Sequence, residues 1–225
     1  MLTKLKKKIE TRKNFYSMRK IYRKYSSFTM LTEWAYINNL LLAEKIKSIE
    51  GCVIECGVWR GGMIAGLAEL LGEERRYCLF DSFQGLPKAK KIDGEAAINW
   101  QKNVKGVNYH DNCSASEDYA RKAMSISPAK LFTLHKGWFN ETLSSVDFPE
   151  GIALLRLDAD WYESTKICLE ALFPYVSKNG LIILDDYYTW DGCSRALHDF
   201  LSQESRPERI NSFNNICFLS KRGDE

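Results

Sequence analysis

The chain has 225 residues, 45% hydrophobic and 27% charged, enough for one large domain with a real core or one domain with a helical appendage. No apolar run approaches a membrane span, and the opening "MLTKLKKKIE" lacks the apolar core of a signal peptide, so neither a transmembrane segment nor secretion is expected. The net charge of +3 hides an asymmetry: residues 1–24 carry ten Lys/Arg against Glu10 alone, and the remainder holds 22 basic and 28 acidic residues.

A basic arm on an acidic body suits a nucleic acid, an anionic membrane or a phosphorylated substrate, or else is a solvated helix face that keeps the chain soluble. The seven cysteines form no C-x-x-C pair and no His–Cys cluster with zinc spacing, which fits reduced thiols in the cytoplasm.

In chain order, residues 1–27 read as a basic helix broken at Ser26, and Met30 to Ile49 as a packed helix. "GCVIECGVWRGGMIAGLAELLG" then gives a short strand (Cys52 to Cys56), a glycine turn through Gly57, Gly61 and Gly62, and an amphipathic helix ending near Gly72. "RRYCLFDSF" is a second strand ending at Asp81, "LFTLHKGWF" a third and "IALLRLD" a fourth. "STKICLEALFPYV" is a helix closed by Pro174. "LIILDD" is a fifth strand, "SRALHDFLSQE" a helix, and "RINSF" and "ICFLSKR" flank Asn214-Asn215 as a closing antiparallel hairpin. Strands alternating with helices predict an α/β fold, a doubly wound and mainly parallel sheet with helices on both faces. Residues 1–50 are the basic arm and leading helices, and 51–225 the main domain. The interval of about 88–128 is too long for a plain connection; it is expected to be a helical lid that closes over the site together with the N-terminal helices, with an ordinary surface excursion as the alternative.

Acids fall at the predicted strand ends: Glu55, Asp81, Asp158, Asp185 and Asp186. Ligands of doubly wound sheets bind there. Asp81 follows Gly61 by twenty residues, at the end of the next strand, where an acid accepts hydrogen bonds from a ribose diol. The glycine spacing is G-x-x-x-G-G rather than G-x-G-x-x-G, and no P-loop G-K-[ST] is present. An adenosine ligand without phosphates, S-adenosylmethionine, is therefore favoured over a dinucleotide.

Together "ECGVWRGG", "FDSFQGLP", "KGWFNETL", "LRLDADWYEST" and "LDDYYTWDG" resemble the macrocin O-methyltransferase (TylF-like) family, in order from roughly Met30 to Phe200. The resemblance implies a class I, Rossmann-like sheet of seven strands and an S-adenosylmethionine- and divalent-metal-dependent O-methyltransferase acting on sugar hydroxyls of natural products. It implies that Glu55 and Gly57 hold the methionine end of the cofactor, Asp81 the ribose with Ser82 and Phe83 beside it, and that Gly137, Trp138 and Phe139 border the adenine. It makes Asp158, Asp185 and Asp186 the metal ligands and Asp158 the general base. Ala159 departs from the family's pattern, where Gly stands between the two acids.

Three carboxylates converging at neighbouring strand ends repel one another unless a cation joins them, and an oxygen-only set selects a hard ion, Mg²⁺ first, then Ca²⁺ or Mn²⁺. His135 is a candidate base or a surface histidine; His110 and His198 are read as incidental. Asp160 positions substrate or metal-bound water, or caps a helix, and Trp161 and Tyr162 line an acceptor pocket or belong to the core. A catechol-type O-methyltransferase and a nucleic-acid-binding module led by the arm are the competing readings. The expected partner is a small hydroxylated acceptor, a sugar rather than a nucleic acid; assembly as a homodimer or larger homo-oligomer is left open.

Overall fold

The computed structural model describes residues 2–203 and 206–223, with side chains from residue 14 onward. The Lys/Arg of the arm from residue 4 to residue 13 therefore lie outside the described side chains, and Glu204, the last residue of the final predicted helix, lies outside the described residues.

Two helices lead into the sheet, α1 (Leu2–Tyr25) and α2 (Glu33–Ala43). The second is shorter than its apolar pattern. Thr32 Oγ1 accepts the Ala35 N–H at 3.2 Å and starts the helix, and a 3₁₀ turn at Glu44–Ile46 ends it. Seven strands follow: β1 (Cys52–Cys56), β2 (Arg76–Asp81), β3 (Leu131–Lys136), β4 (Ile152–Leu157), β5 (Val176–Leu184), β6 (Asn211–Phe213) and β7 (Ile216–Ser220). Their order is β3-β2-β1-β4-β5-β7-β6, parallel from β3 to β5, with β7 antiparallel to both β5 and β6. The β6–β7 hairpin turns on Asn214 and Asn215, both left-handed (φ 49° and 64°), as the "NN" pair predicts.

The central strands are buried on both faces, so they read as continuous apolar runs rather than alternating ones. Val53, Leu79, Leu154 and Ile183 face the leading helices and α3 (Gly62–Leu71). Ile54, Phe80, Leu155 and Ile182 face a second core with Cys168 and Leu169 of α7 (Tyr162–Leu172) and Leu197 of α8 (Asp191–Gln203). The arm is not free along its whole length: Met18 and Tyr25 are buried, and the Tyr25 hydroxyl donates to Glu69 of α3 at 2.8 Å. Tyr36 of α2 donates to the Gly62 carbonyl at 2.7 Å, and a Cβ at Gly66 would collide with its hydroxyl. Close approach of α2 to α3 therefore requires glycine there.

Between β2 and β3 the chain folds into α4 (Gly94–Lys102) and α5 (Glu117–Ser125), separated by a 3₁₀ turn at His110–Cys113. The first part of this insertion is fastened down. Asp93 accepts the Tyr162 N–H at 2.7 Å, so an acid from the insertion satisfies the first N–H of α7. Trp100 meets Trp161 and Trp190 edge-on at 6.2 and 6.0 Å, and Trp161 donates to the Pro87 carbonyl at 2.9 Å. No helix among the described residues is long and apolar enough to cross a membrane, and all seven cysteines are free.

Candidate active site

The carboxyl ends of β3, β2, β1, β4 and β5 open into one cleft with a cavity volume of about 220 Å³. In strand order its lining presents Gly137, Trp138 and Phe139, then Asp81 and Ser82, Glu55 and Gly57, Asp158 and Asp160, and finally Asp185 and Asp186. The strand order reverses between β1 and β4, the position where doubly wound sheets take their ligands. The tips are tied in register by backbone bonds: Gly57 N–H to the Phe80 carbonyl (2.8 Å), Asp158 N–H to Cys56 (2.9 Å) and Asp185 N–H to Leu157 (2.9 Å). Gly57 has φ +85°, and a Cβ there would collide with the Asp158 carbonyl oxygen. The β1 and β4 turns therefore meet only because residue 57 has no side chain.

At the β2 end, Asp81 Oδ2 accepts the Trp59 N–H (2.8 Å) and Oδ1 the Phe83 N–H (2.6 Å). Trp59 and Phe83 are both left-handed (φ 48° and 56°), at a cost of about 1–3 kcal/mol each. In both, that backbone turns an N–H onto the acid. Burial pushes the Asp81 carboxyl up, opposed by these amide donors. Phe83 itself is buried in the core that holds Val58 and Met63, so its ring does not line the cleft. Glu55 is 1% exposed; its Oε2 accepts the Ile64 N–H of α3 at 3.1 Å.

At the other end lies Arg156, a fully buried guanidinium one strand position from the tip of β4. It pairs with Glu55 Oε1 (2.5 Å) and Asp158 Oδ2 (2.9 Å) through Nη1 and with Asp185 Oδ1 (2.6 Å) through Nη2; Nε donates to Asn39 Oδ1 at 3.3 Å. The Asp185 contact is ionic rather than a well-directed hydrogen bond.

Asp158, Asp160 and Asp186 each offer an oxygen within 4.8 Å of the other two. Asp160, left-handed at φ 56°, aims its N–H at Asp186 Oδ2 (3.1 Å), and its Oδ1 accepts the Trp190 indole N–H (2.9 Å). Burial, reinforced by Asp158, pushes Asp160 up to about 8. Burial, reinforced by Asp160 and Asp158, lifts Asp186 well above the usual carboxylate range. Burial raises Asp158 to about 6 against the pull of Arg156, and its 31% exposed side chain lets solvent offset part of that. Burial likewise raises Glu55 to about 8, again against Arg156. One guanidinium cannot match five carboxylates, so without a further cation protons must neutralise part of the cluster, and an all-oxygen donor set fits a hard divalent ion that would replace them.

Arg156 and the grouping of Asp160 with Asp158 and Asp186 escape the sequence reading. The signal was present: a charged residue inside "IALLRLD" must be paired if the strand is buried, and residue 156 shares a face with residue 158. Phe28, Thr29, Met30 and Leu31, between the two leading helices, form a wall of the cleft, on the side where those helices are expected to close. Ala159 lines the cleft and is not among the left-handed residues, so its methyl group adds no backbone strain. His135 stacks on Phe80 at 4.4 Å and is absent from the lining, His198 pairs with the Tyr187 hydroxyl at 3.0 Å, and Trp161 is buried under the insertion.

The model of the macrocin O-methyltransferase (TylF) family matches residues 27–222. The 8-demethyl-8-(2,3-dimethoxy-alpha-L-rhamnosyl)-tetracenomycin-C 4'-O-methyltransferase of Streptomyces olivaceus is 32% identical over 161 residues, 68% of this chain and 58% of that protein. The mycinamicin III 3''-O-methyltransferase of Micromonospora griseorubida is 28% identical over 169 residues, 72% of this chain and 65% of that protein. The chain thus spans less than two thirds of the length of these relatives. Among solved structures, the O-methyltransferase NovP superposes with a TM-score of 0.73 at 24% identity, covering 87% of this chain and 83% of its own. The calicheamicin methyltransferase CalS11 superposes at 0.60 and 21% identity, covering 81% and 78%; both likenesses concern the fold. With most of its length matched by the family model, the chain belongs to the macrocin O-methyltransferase (TylF) family.

Proposed function

We propose that this chain transfers a methyl group from S-adenosylmethionine to a hydroxyl of a sugar on a small glycosylated natural product, with a hard divalent cation at the acid end of the cleft. The observation that carries this reading is the single cleft itself. It joins a ribose-type acid at the tip of β2 to an acid cluster with too little positive charge at the tips of β4 and β5. The relative that acts on a rhamnosyl-tetracenomycin supports the acceptor class.

Asp81 lines the cleft with its carboxylate held by the Trp59 and Phe83 amides, and would accept the two ribose hydroxyls. Glu55 and Gly57 would face the methionine end, with Ser82 beside the ribose and Trp138 and Phe139 beside the adenine; Phe83 acts through its N–H on Asp81. Asp158, Asp185 and Asp186 would hold the ion, with Asp160 beside them. When bound, the donor supplies an electrophilic methyl group and the ion supplies positive charge for a developing alkoxide. Asp158 holds the acceptor hydroxyl in line and takes its proton at a carboxylate oxygen. The insertion and the segment from Phe28 to Leu31 exclude water from the reacting atoms. Seven free cysteines fit work in the cytoplasm.

The test is turnover of isotopically labelled S-adenosylmethionine against glycosylated polyketides, free sugars and catechols. Label on a sugar hydroxyl is the expected result; turnover confined to the catechols would replace this reading with the phenol one.

A further inference from the structure

Methyl transfer in the cleft makes no use of the basic arm. Six of its ten cations, Lys4, Lys6, Lys7, Lys8, Arg12 and Lys13, fall within ten residues against Glu10 alone. Later in α1 the cations meet partners on the body: Arg19 pairs with Glu33 at 2.7 Å and Lys24 with Glu69.

The arm has two sides. Phe15, Met18, Tyr22 and Tyr25 recur at helical spacing and pack on the body, Tyr22 meeting Tyr36 at 5.4 Å and Phe15 meeting Trp34 at 6.2 Å. Leu2, Leu5, Ile9 and Tyr16 occupy positions that, at 3.6 residues per turn, lie within about 60° of one another and about 150° from the packed side. Tyr16, on that second side, is 60% exposed. A basic helix with a narrow apolar stripe is the pattern that lies in the headgroup region of a bilayer. Two further apolar residues are exposed close by. Trp34, in contact with Phe15, is 57% exposed, and Met30, four residues earlier, is 40% exposed and also lines the cleft.

We propose that α1 and the segment from Met30 to Trp34 form a docking surface for an anionic phospholipid bilayer. The lysines of the arm supply the attraction, and Tyr16 and Trp34 supply the amphipathic rings that settle at headgroup level. Positive charge alone suits nucleic acid equally well; the apolar stripe and the exposed Trp34 and Met30 are what favour lipid. Residues 25–225 hold 28 acids against 22 bases, so an anionic surface repels the body and the chain meets it arm first. Docked in this way, the Met30 edge of the cleft lies beside the lipid, open to an acceptor that partitions into the bilayer. The surface stands apart from the reading under Proposed function, and either can fail alone.

The test is flotation of the full chain with vesicles of phosphatidylcholine alone and of phosphatidylcholine and phosphatidylglycerol in equal parts, at low and high NaCl. About tenfold more protein is expected on the anionic vesicles, and the difference should vanish at high salt. The triple variant Lys6→Gln, Lys7→Gln, Lys8→Gln should lose about fivefold or more of that binding, with S-adenosylhomocysteine affinity unchanged as evidence of an intact fold. Brominated lipid should quench the tryptophan fluorescence of the bound chain, and Trp34→Phe should remove most of the quenching while keeping the binding. Quenching that survives Trp34→Phe would put another face on the lipid and overturn the surface. Equal binding to both vesicle types, binding indifferent to the triple variant, or no binding would overturn it as well. Capture of a duplex or single-stranded oligonucleotide without vesicle binding would assign the arm to nucleic acid instead.

Discussion

The two ends of the cleft handle buried carboxylate in different ways. At the β2 end, Asp81 is met by two backbone amides that the left-handed residues Trp59 and Phe83 turn toward it. Those donors are neutral, fixed by the fold and sufficient for one acid. At the β4 and β5 ends, one guanidinium stands against Glu55, Asp158 and Asp185, with Asp160 and Asp186 beyond its reach. An acid met by amides is ready for hydroxyl groups. A cluster short of positive charge has affinity for a cation. Under the proposed reading, the difference between a ribose-binding acid and a metal-binding acid lies in what surrounds the carboxylate rather than in the residue type.

Substitutions that treat the two ends alike will break this contrast, and those that separate them will sharpen it. The largest expected effect is at the acid end. Asp158→Asn should lower turnover by roughly two or more orders of magnitude, the range in which loss of a general base falls. Calorimetry should find S-adenosylhomocysteine affinity nearly unchanged, because the proposed ribose contact is at Asp81. A parallel loss of both would merge the two ends into one functional unit.

Next in size is the cost of removing the buried cation. Arg156→Met leaves three acids without their counter-charge and should destabilise the fold by about 3–5 kcal/mol in chemical denaturation. Added Mg²⁺ should recover part of that loss, since a ligand of the folded state alone stabilises it by mass action. No recovery would mean that the acids do not hold an ion in the folded chain.

A smaller effect is expected at the β2 end. Asp81→Ala removes two acceptors for a buried diol and should cost about 1–3 kcal/mol in S-adenosylhomocysteine binding, with Mn²⁺ affinity unaltered. A change in Mn²⁺ affinity of similar size would contradict the separation of the ends.

Much of this was legible in the sequence, and the part that was not has a common cause. The strands, the glycine turn at Gly57–Gly62, the "NN" hairpin and the place of each strand-end acid follow from short-range pattern, because strand period and turn chemistry are local. The adjacency of β4 and β5 follows from the family resemblance and is present in the sheet. What the chain order hides is pairing across distance. Arg156 reads as an interruption of an apolar strand until Glu55 and Asp185 are seen beside it. Asp160 reads equally as a helix cap or as a residue that positions substrate or metal-bound water until its oxygen is seen near Asp158 and Asp186. The insertion reads as helical lid segments, yet Asp93 bonds to Tyr162 sixty-nine residues away, and the Trp100–Trp161–Trp190 cluster anchors its first half.

The smallest expected effect concerns that anchor. Asp93→Ala removes the acceptor for the first N–H of α7, and by analogy with helix caps should cost on the order of 1 kcal/mol. Hydrogen exchange should quicken in residues 88–102 and in the first turn of α7, leaving the strand tips protected. Donor and acceptor together should slow exchange across 103–128, the half of the insertion that closes over the cleft in this account. Protection confined to the strand tips would remove the lid from the mechanism.

The central claim is that the acid end of the cleft activates a sugar hydroxyl for methylation with the help of a divalent cation. The most direct measurement is mass-spectrometric detection of label passed from S-adenosylmethionine to a glycosylated acceptor, in excess EDTA and again after Mg²⁺ is restored. Labelled sugar is expected with Mg²⁺, none in EDTA and full recovery on readdition; undiminished labelling in excess EDTA would rule out a role for the cation.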